Sequence, residues 1–191
     1  MSADSLADVA DFTVRRYEQQ LIDRGDDHLQ VAAVLPLATA PVVADETLAE
    51  LQRQVATPGF AELVAVLQRA RRIVPADVTA VYDASKLTEP AELVLHEAVQ
   101  KVGTAPTALG EFVTATEVLV EPITNFFEEI LVMAEDPAVR AARLGLLATI
   151  RDLAAPVLDW QALGTSLTQA AANQPAEPDE AEQAQSERQG E

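Results

Sequence analysis

Apolar residues along this chain recur three or four positions apart, the spacing that places them on one face of an α-helix. The pattern is clearest in two sets: Phe60, Leu63, Val64, Leu67 and Ala70, then Ile123, Phe126, Phe127, Ile130 and Leu131. No segment combines period-two alternation with the turn residues of a β-hairpin convincingly enough for a sheet. The sequence therefore predicts an all-α fold, a bundle of about seven to eight helices.

Capping residues and helix breakers predict where these helices begin and end. Thr57, Thr107 and Asp136 are the expected N-caps of three helices, and Pro58 and Pro137 suit first helical positions. The predicted helices cover residues 5–23, 27–35, 45–55, 58–73, 88–102, 108–121 and 123–131, with an eighth from 137 to about 156.

The same patterns predict which faces are buried. The first helix should direct a rough stripe inward, made of Leu6, Val9, Phe12 or Thr13, Arg16 and Leu21. The inward face of the last helix should hold Val139, Ala142, Leu146, Ile150, Leu153 and Val157. A turn around Glu135 should join the last two helices into a packed helical hairpin.

Composition changes near the end of the chain. Beyond roughly Gly164 the residues are mainly Ala, Gln, Glu and Pro, with no large apolar residue after Leu167. Such a segment cannot bury enough apolar surface to fold. We therefore expect a disordered acidic tail at 164–191 after a helical region at 1–163.

Cysteine is absent from the chain, which removes disulfides and thiolate metal sites and fits a reducing compartment. The sequence shows neither the apolar core of a signal peptide nor an apolar stretch long enough to span a membrane. The expected location is the cytoplasm.

The net charge is −18, of which residues 172–191 contribute −5 and residues 1–171 contribute −13. Nucleic-acid-binding domains usually carry a basic surface, so RNA contact here would need a local basic cluster. Eleven of the thirteen basic residues are arginines, whose planar guanidinium suits bidentate contacts to phosphates and base edges.

Residues 126–147 combine two helical faces with a specific residue string, beginning Phe-Phe-Glu-Glu-Ile-Leu-Val-Met-Ala. This string resembles the C-terminal anticodon-binding region of the bacterial glycyl-tRNA synthetase β subunit, the helical DALR type. That family usually reads FF-x-x-V-x-V-M-A-x-D-x-x-L-R-x-N-R-L-x-L-L here. Weaker likeness continues upstream in the same order, at 12–16, 28–35, 60–73 and 87–95. The resemblance thus covers about 12–160, with the DALR-type part at about 60–163.

Within this string, Pro137, Val139 (a conservative change) and Ala142 depart from the family pattern. The four residues that give the DALR type its name stand here as Pro137, Ala138, Val139 and Arg140, and the usual Asn before the second Arg is Ala142. The missing Asn removes a hydrogen-bonding side chain from the motif.

The resemblance implies a role in ligating glycine to tRNA, with the tRNA recognised by the β subunit and the adenylate chemistry performed by a separate α subunit. Expected partners are glycine tRNA, the α subunit and the rest of the β subunit, with no membrane and no DNA. ATP and Mg²⁺ would bind only to the catalytic partner, and this chain would bind no cofactor.

The candidate tRNA contacts are arginines: Arg69, Arg71, Arg72, Arg140, Arg143 and Arg151. The first three lie near the end of a predicted helix, where cations also favour the helix dipole or pair with acids, so both roles stay open. For Arg140 and Arg143 the sequence favours a structural role, bridging the hairpin to Glu128 or Glu135. Arg151 could extend the same face.

Aromatic residues offer fewer contacts. Phe126 and Phe127 belong to an apolar stripe and should pack in the core, whereas Trp160 could cap the core or stack on a base.

Catalytic motifs are missing from the sequence. There is no glycine-rich phosphate loop and no nucleophile elbow, and His28 and His96 do not form a metal-ligand pair. The alternative to tRNA binding is a helical protein-interaction module that docks on the synthetase without touching RNA. A third interpretation, an independent enzyme, has the least support because the sequence contains no catalytic motif. No catalytic or metal residue is predicted.

Overall fold

The computed structural model describes residues 3–163, with side chains described from residue 11 onward. The tail predicted at 164–191 and the side chains of Leu6 and Val9 lie outside the described residues. Within 3–163 the chain forms helices and no strands, which confirms the all-α prediction.

Residues 3–163 form eight α-helices. They are α1 (Ala3–Arg24), α2 (His28–Val34), α3 (Pro41–Val55), α4 (Phe60–Ile73), α5 (Pro90–Val102), α6 (Leu109–Thr116), α7 (Val120–Glu129) and α8 (Pro137–Ala154). Short 3₁₀ turns cover Leu35–Leu37, Ala84–Lys86 and Glu117–Leu119.

Helix α4 lies at the centre of the bundle, packed on α8, α7, α3 and α6. Its predicted apolar set, Phe60, Leu63, Val64, Leu67 and Ala70, is entirely buried. This burial confirms the period-3.6 interpretation and makes α4 the element that positions its neighbours.

The predicted hairpin is wrong. Helix α7 packs mainly on α5 and α4, and α8 packs mainly on α4, so the last two helices make few direct contacts with each other. The reason is the connection: Ile130 is extended (φ −109°, ψ 124°), and the chain leaves the helix before Leu131. Leu131 consequently lies outside the apolar stripe and is 73% exposed.

The buried face of α1 also differs from the prediction. Phe12 is 71% exposed, and Thr13 and Arg16 are exposed too, contrary to the prediction. Leu21 is buried as predicted, and Tyr17, which was not in the predicted stripe, is buried as well. Tyr17 and Leu21 are four residues apart and so share one face of α1, a helix that packs on α2.

Helix starts are partly as predicted. Asp136 caps α8, accepting the backbone N–H of Ala138 at 2.7 Å. Thr57 does not cap α4, because its hydroxyl instead donates to the carbonyl of Arg53 at 3.2 Å. Gly59, at φ 85°, turns the chain through the left-handed region immediately before α4.

Other helix boundaries shift by smaller amounts. Ala108 rather than Thr107 precedes α6. Helix α3 starts at Pro41 rather than near residue 45, and α5 starts at Pro90 after Glu89. A proline is acceptable in the first helical turn because its missing N–H has no partner there.

Tyr17 ties α1 to α3, donating its hydroxyl proton to Asp45 Oδ1 at 3.1 Å. Burial, together with Asp45, raises the pKa of Tyr17 from 10.0 to about 12. The unfolded chain releases this proton at lower pH, so the free energy of unfolding should fall as the pH rises from about 10 to about 12. Urea unfolding at a series of alkaline pH values should show a smaller decrease in the free energy of unfolding for Tyr17→Phe than for the parent chain. Equal decreases in the two proteins would contradict this role of Tyr17.

Candidate nucleic-acid interface

The C-terminal end of α4 carries Arg69, Arg71 and Arg72, in the positions predicted from the sequence. All of them are exposed. Successive residues of a helix are about 100° apart, so Arg69 and Arg72 lie close to one side while Arg71 points to another. The three side chains therefore spread around the helix end and do not converge on one point.

Arg71 and Arg72 make no hydrogen bond or ion pair with another residue of the described part of the chain. Four of the eight other arginines whose side chains are described pair with carboxylates: Arg24, Arg53, Arg143 and Arg151. Unpaired guanidinium groups keep all their donors available for an external anion.

Arg69 lies over the ring of Phe127 on α7, with Cζ 4.3 Å from the ring centroid. One of its terminal nitrogens, Nη2, also donates to the Phe127 carbonyl at 3.5 Å. Phe127 is half-buried and meets the buried Phe126 edge-on. The guanidinium is thus held on α7 without being neutralised by an acid.

Arg151, in the last turn of α8, holds the segment that follows α4. It donates to the carbonyls of Pro75 at 3.2 Å and Val78 at 2.9 Å, and its Nε pairs with Asp152 at 2.8 Å. Arg151 therefore joins the end of α4 rather than extending the face of Arg140 and Arg143.

Arg71 and Arg151 line a shared shallow depression of about 400 Å³. The other lining residues are Val74, Ala76, Asp152 and Ala155. We call the set Arg69, Arg71, Arg72 and Arg151 the basic edge. Asp152 and the exposed Asp77 offset part of its positive charge.

Arg140 and Arg143 lie apart from the basic edge and have structural partners. Arg140 donates to the carbonyl of Ala134 at 2.9 Å. Arg143 pairs with Glu92 Oε1 at 2.5 Å and donates to the Leu131 carbonyl at 2.8 Å. The structural role favoured by the sequence is thus observed, but the predicted partners Glu128 and Glu135 are wrong, because the 130–136 segment presents the carbonyls of Leu131 and Ala134 to these arginines instead.

Glu92 is the residue that sequence reasoning missed. Its side chain is fully buried, and its Oε2 accepts the backbone N–H groups of Thr88 at 2.7 Å and Glu89 at 2.9 Å. The spacing of Glu89 and Glu92 is a capping-box signal that the sequence does show. The pairing with Arg143, 51 residues away, leaves no signal in the local sequence.

Trp160 caps the core, which decides between its two predicted roles. It is 2% exposed, donates from Nε1 to the Ala154 carbonyl at 2.8 Å, and packs against Phe112 and Phe60. Its carbonyl accepts from Gln68 Nε2 at 2.6 Å, which fastens the chain after α8 to α4. Trp160 offers no face to a base.

Within residues 3–163 no group of three or more His, Asp or Glu side chains is placed to hold a metal ion. None of the helices in this range combines the length and apolar character that a membrane crossing requires.

No protein-family model matches the chain. It is 37% identical over 150 residues, 73% of its length, to the glycine–tRNA ligase beta subunit of Leptothrix cholodnii. The beta subunit of Dechloromonas aromatica is 36% identical over 160 residues, 75% of this chain. That of Geobacter metallireducens is 32% identical over 165 residues, 83% of this chain. The chain is therefore similar, over most of its length, to part of glycine–tRNA ligase beta subunits.

These matches cover only a small part of each relative. The chain spans 21%, 22% and 24% of the beta subunits of Leptothrix cholodnii, Dechloromonas aromatica and Geobacter metallireducens. The shared region is about a fifth to a quarter of a much longer protein.

Proposed function

We propose that this chain is the C-terminal, tRNA-contacting part of a glycine–tRNA ligase β subunit and acts in the cytoplasm. The observation that carries the proposal is the 37% identity over 150 residues to such a subunit. In this proposal a separate α subunit binds ATP and Mg²⁺ and forms the glycyl adenylate. The present chain contributes to ligation by positioning glycine tRNA.

The DALR-type anticodon-binding part is proposed to be the region at about 60–163, which contains α4 to α8. Its support is the residue string at 126–147 and the way its segments meet in the fold. Gln68 on α4 bonds to Trp160, Arg69 covers Phe127, and Arg143 pairs with Glu92. Segments that resemble the family at separate points of the sequence therefore contact one another in one core.

The basic edge is the part of this region proposed to contact tRNA. Arg71 and Arg72 are exposed and have no hydrogen-bond or ion-pair partner among the described residues, and the nearby depression places Arg71 beside Arg151. Guanidinium groups bind phosphate oxygens through paired N–H donors. With a net charge of −18, the rest of the chain repels RNA, so binding should depend on this local surface and weaken steeply with salt.

A salt-dependent titration tests this surface. We expect Arg71→Gln/Arg72→Gln to weaken the binding of glycine tRNA by about tenfold, because two charged hydrogen-bonding groups are lost. The slope of log affinity against log salt should become shallower by about 1.4, at about 0.7 per lost phosphate contact of a single strand.

Arg53→Gln is the matched control, since Arg53 is exposed, pairs with Glu50 on α3 and lies near the opposite end of α4. It should leave both the affinity and the salt slope close to those of the parent chain. Equal losses in the control and the double variant would mean that the basic edge has no special role.

A protein-docking role on the synthetase is the second candidate function. Leu131 and Met133, on either side of the buried Val132 in the segment before α8, are 73% and 56% exposed, and exposed apolar residues that lie close together can mark a protein contact. A folded chain that binds no tRNA even at low salt would favour this alternative.

A further inference from the structure

We propose that the guanidinium of Arg69 is a stacking platform for one unpaired nucleobase of the bound RNA. This inference rests on the proposed tRNA-binding function and specifies how a base would be held. It assigns Arg69 a different task from that of Arg71 and Arg72, which contact phosphates.

The geometry of Arg69 supports this assignment. Its guanidinium lies over the Phe127 ring, with Cζ 4.3 Å from the ring centroid. The Phe127 carbonyl accepts from Nη2 at 3.5 Å, which restrains rotation of the group. Arg69 is nevertheless an exposed residue, so its contact with Phe127 does not bury the side chain.

The support beneath the guanidinium is rigid. Phe127 meets Phe126 edge-on, with ring centroids 5.7 Å apart and planes at 79°. Phe126 is fully buried between α7 and its neighbours. A stacking surface anchored to the core in this way loses little side-chain freedom when a base binds, which favours binding.

At this end of the described bundle no aromatic ring is free to stack on a base, and the planar guanidinium groups of Arg71 and Arg72 have no ring or hydrogen bond within residues 3–163 to hold them in place. Trp160 and Phe126 are buried, and Phe127 is covered by Arg69 itself. Unpaired bases in RNA are commonly recognised by stacking on aromatic rings or on arginine planes. At the basic edge, the exposed plane of Arg69 is the surface that can serve this purpose.

Arg72 is placed to assist such a base. It lies three residues after Arg69, which is about 4.5 Å along the helix axis and close to the same side. A nucleotide stacked on Arg69 would therefore bring its phosphate near the unpaired Arg72. One side chain would hold the base and the other its backbone.

Arg69→Lys separates stacking from charge. Lysine keeps the positive charge and can still lie over Phe127, but it has no planar face for a base. We expect glycine tRNA to bind this variant at least about fivefold more weakly, with an unchanged salt slope, because the stacking of one base is lost and no phosphate contact is. Arg53→Lys is the matched control and should not change the affinity.

A fluorescent base gives the direct readout. Glycine tRNA anticodon stem-loops, each with 2-aminopurine at one loop position, are titrated with the parent chain and with Arg69→Lys. The expected result is a change in 2-aminopurine fluorescence at one loop position when the parent chain is added, absent with Arg69→Lys although the two proteins unfold at similar temperatures.

Two outcomes would overturn the platform, and they are distinguishable. If the parent chain binds glycine tRNA and Arg71→Gln/Arg72→Gln weakens it, but Arg69→Lys binds normally, the tRNA function stands and Arg69 only fastens α4 to α7. If neither tRNA nor stem-loop binds the parent chain, the proposed function fails and the platform fails with it.

Discussion

Arg143→Met is expected to lower the free energy of unfolding by about 3–5 kcal/mol, because it leaves the buried carboxylate of Glu92 without its charged partner. Glu92 is fully buried, and Arg143 supplies the guanidinium that faces its Oε1 at 2.5 Å. The substitution also removes the hydrogen bond to the Leu131 carbonyl. The packing of α5, α8 and the 130–136 segment should weaken together.

Urea unfolding followed by the fluorescence of Trp160 measures this loss. Arg140→Met is the matched control on the same helix: Arg140 is half-buried and donates only to the Ala134 carbonyl, so the loss should be about 1 kcal/mol. The double variant Glu92→Met/Arg143→Met should recover part of the stability, since it removes the buried charge altogether. A loss below about 1 kcal/mol in Arg143→Met would contradict the buried ion pair.

Gly145→Val should lower the free energy of unfolding by about 2–3 kcal/mol through overpacking. Gly145 is buried within α8, and a Cβ at this position would come within 2.7 Å of Tyr82 Cβ and 2.9 Å of the Val81 carbonyl oxygen. Both obstacles belong to the connection between α4 and α5. The added side chain must push that connection away from α8 or bend the helix.

Gly110→Ala is the matched control for Gly145→Val. Its added Cβ would come within 2.9 Å of Glu50 Oε1, the far end of a flexible side chain that can move aside. Because alanine favours a helix over glycine by up to about 1 kcal/mol, this variant should be as stable as the parent or more so. Parent-like stability in Gly145→Val, measured by the same urea unfolding, would mean that residues 81 and 82 do not lie against α8.

Local sequence patterns predicted the helices well and their packing partners poorly. The face of α4 through Phe60 and Leu67 was correct, as was the Asp136 cap, because periodicity and capping depend on neighbouring residues. The hairpin prediction failed because periodicity identifies an apolar face but not the helix that covers it. The close approach of Tyr82 to Gly145 was equally invisible, since it depends on the path of a connection.

The same distinction between local and distant residues applies to the candidate site. Arg69, Arg71 and Arg72 are neighbours in sequence, so their position at one helix end could be predicted. Arg151 reaches that end only through the fold, by bonding to Pro75 and Val78. Whether an arginine is exposed or paired within the protein depends on distant residues such as Glu92, which sequence reasoning cannot place.

The most direct test of the central claim is a competition between glycine tRNA and a non-cognate tRNA for the purified full chain at low salt. The proposed tRNA-recognition role predicts preferential binding of glycine tRNA, by at least about tenfold, that weakens as salt is added. Equal affinities for the two tRNAs, or binding of neither, would contradict a role in recognising glycine tRNA.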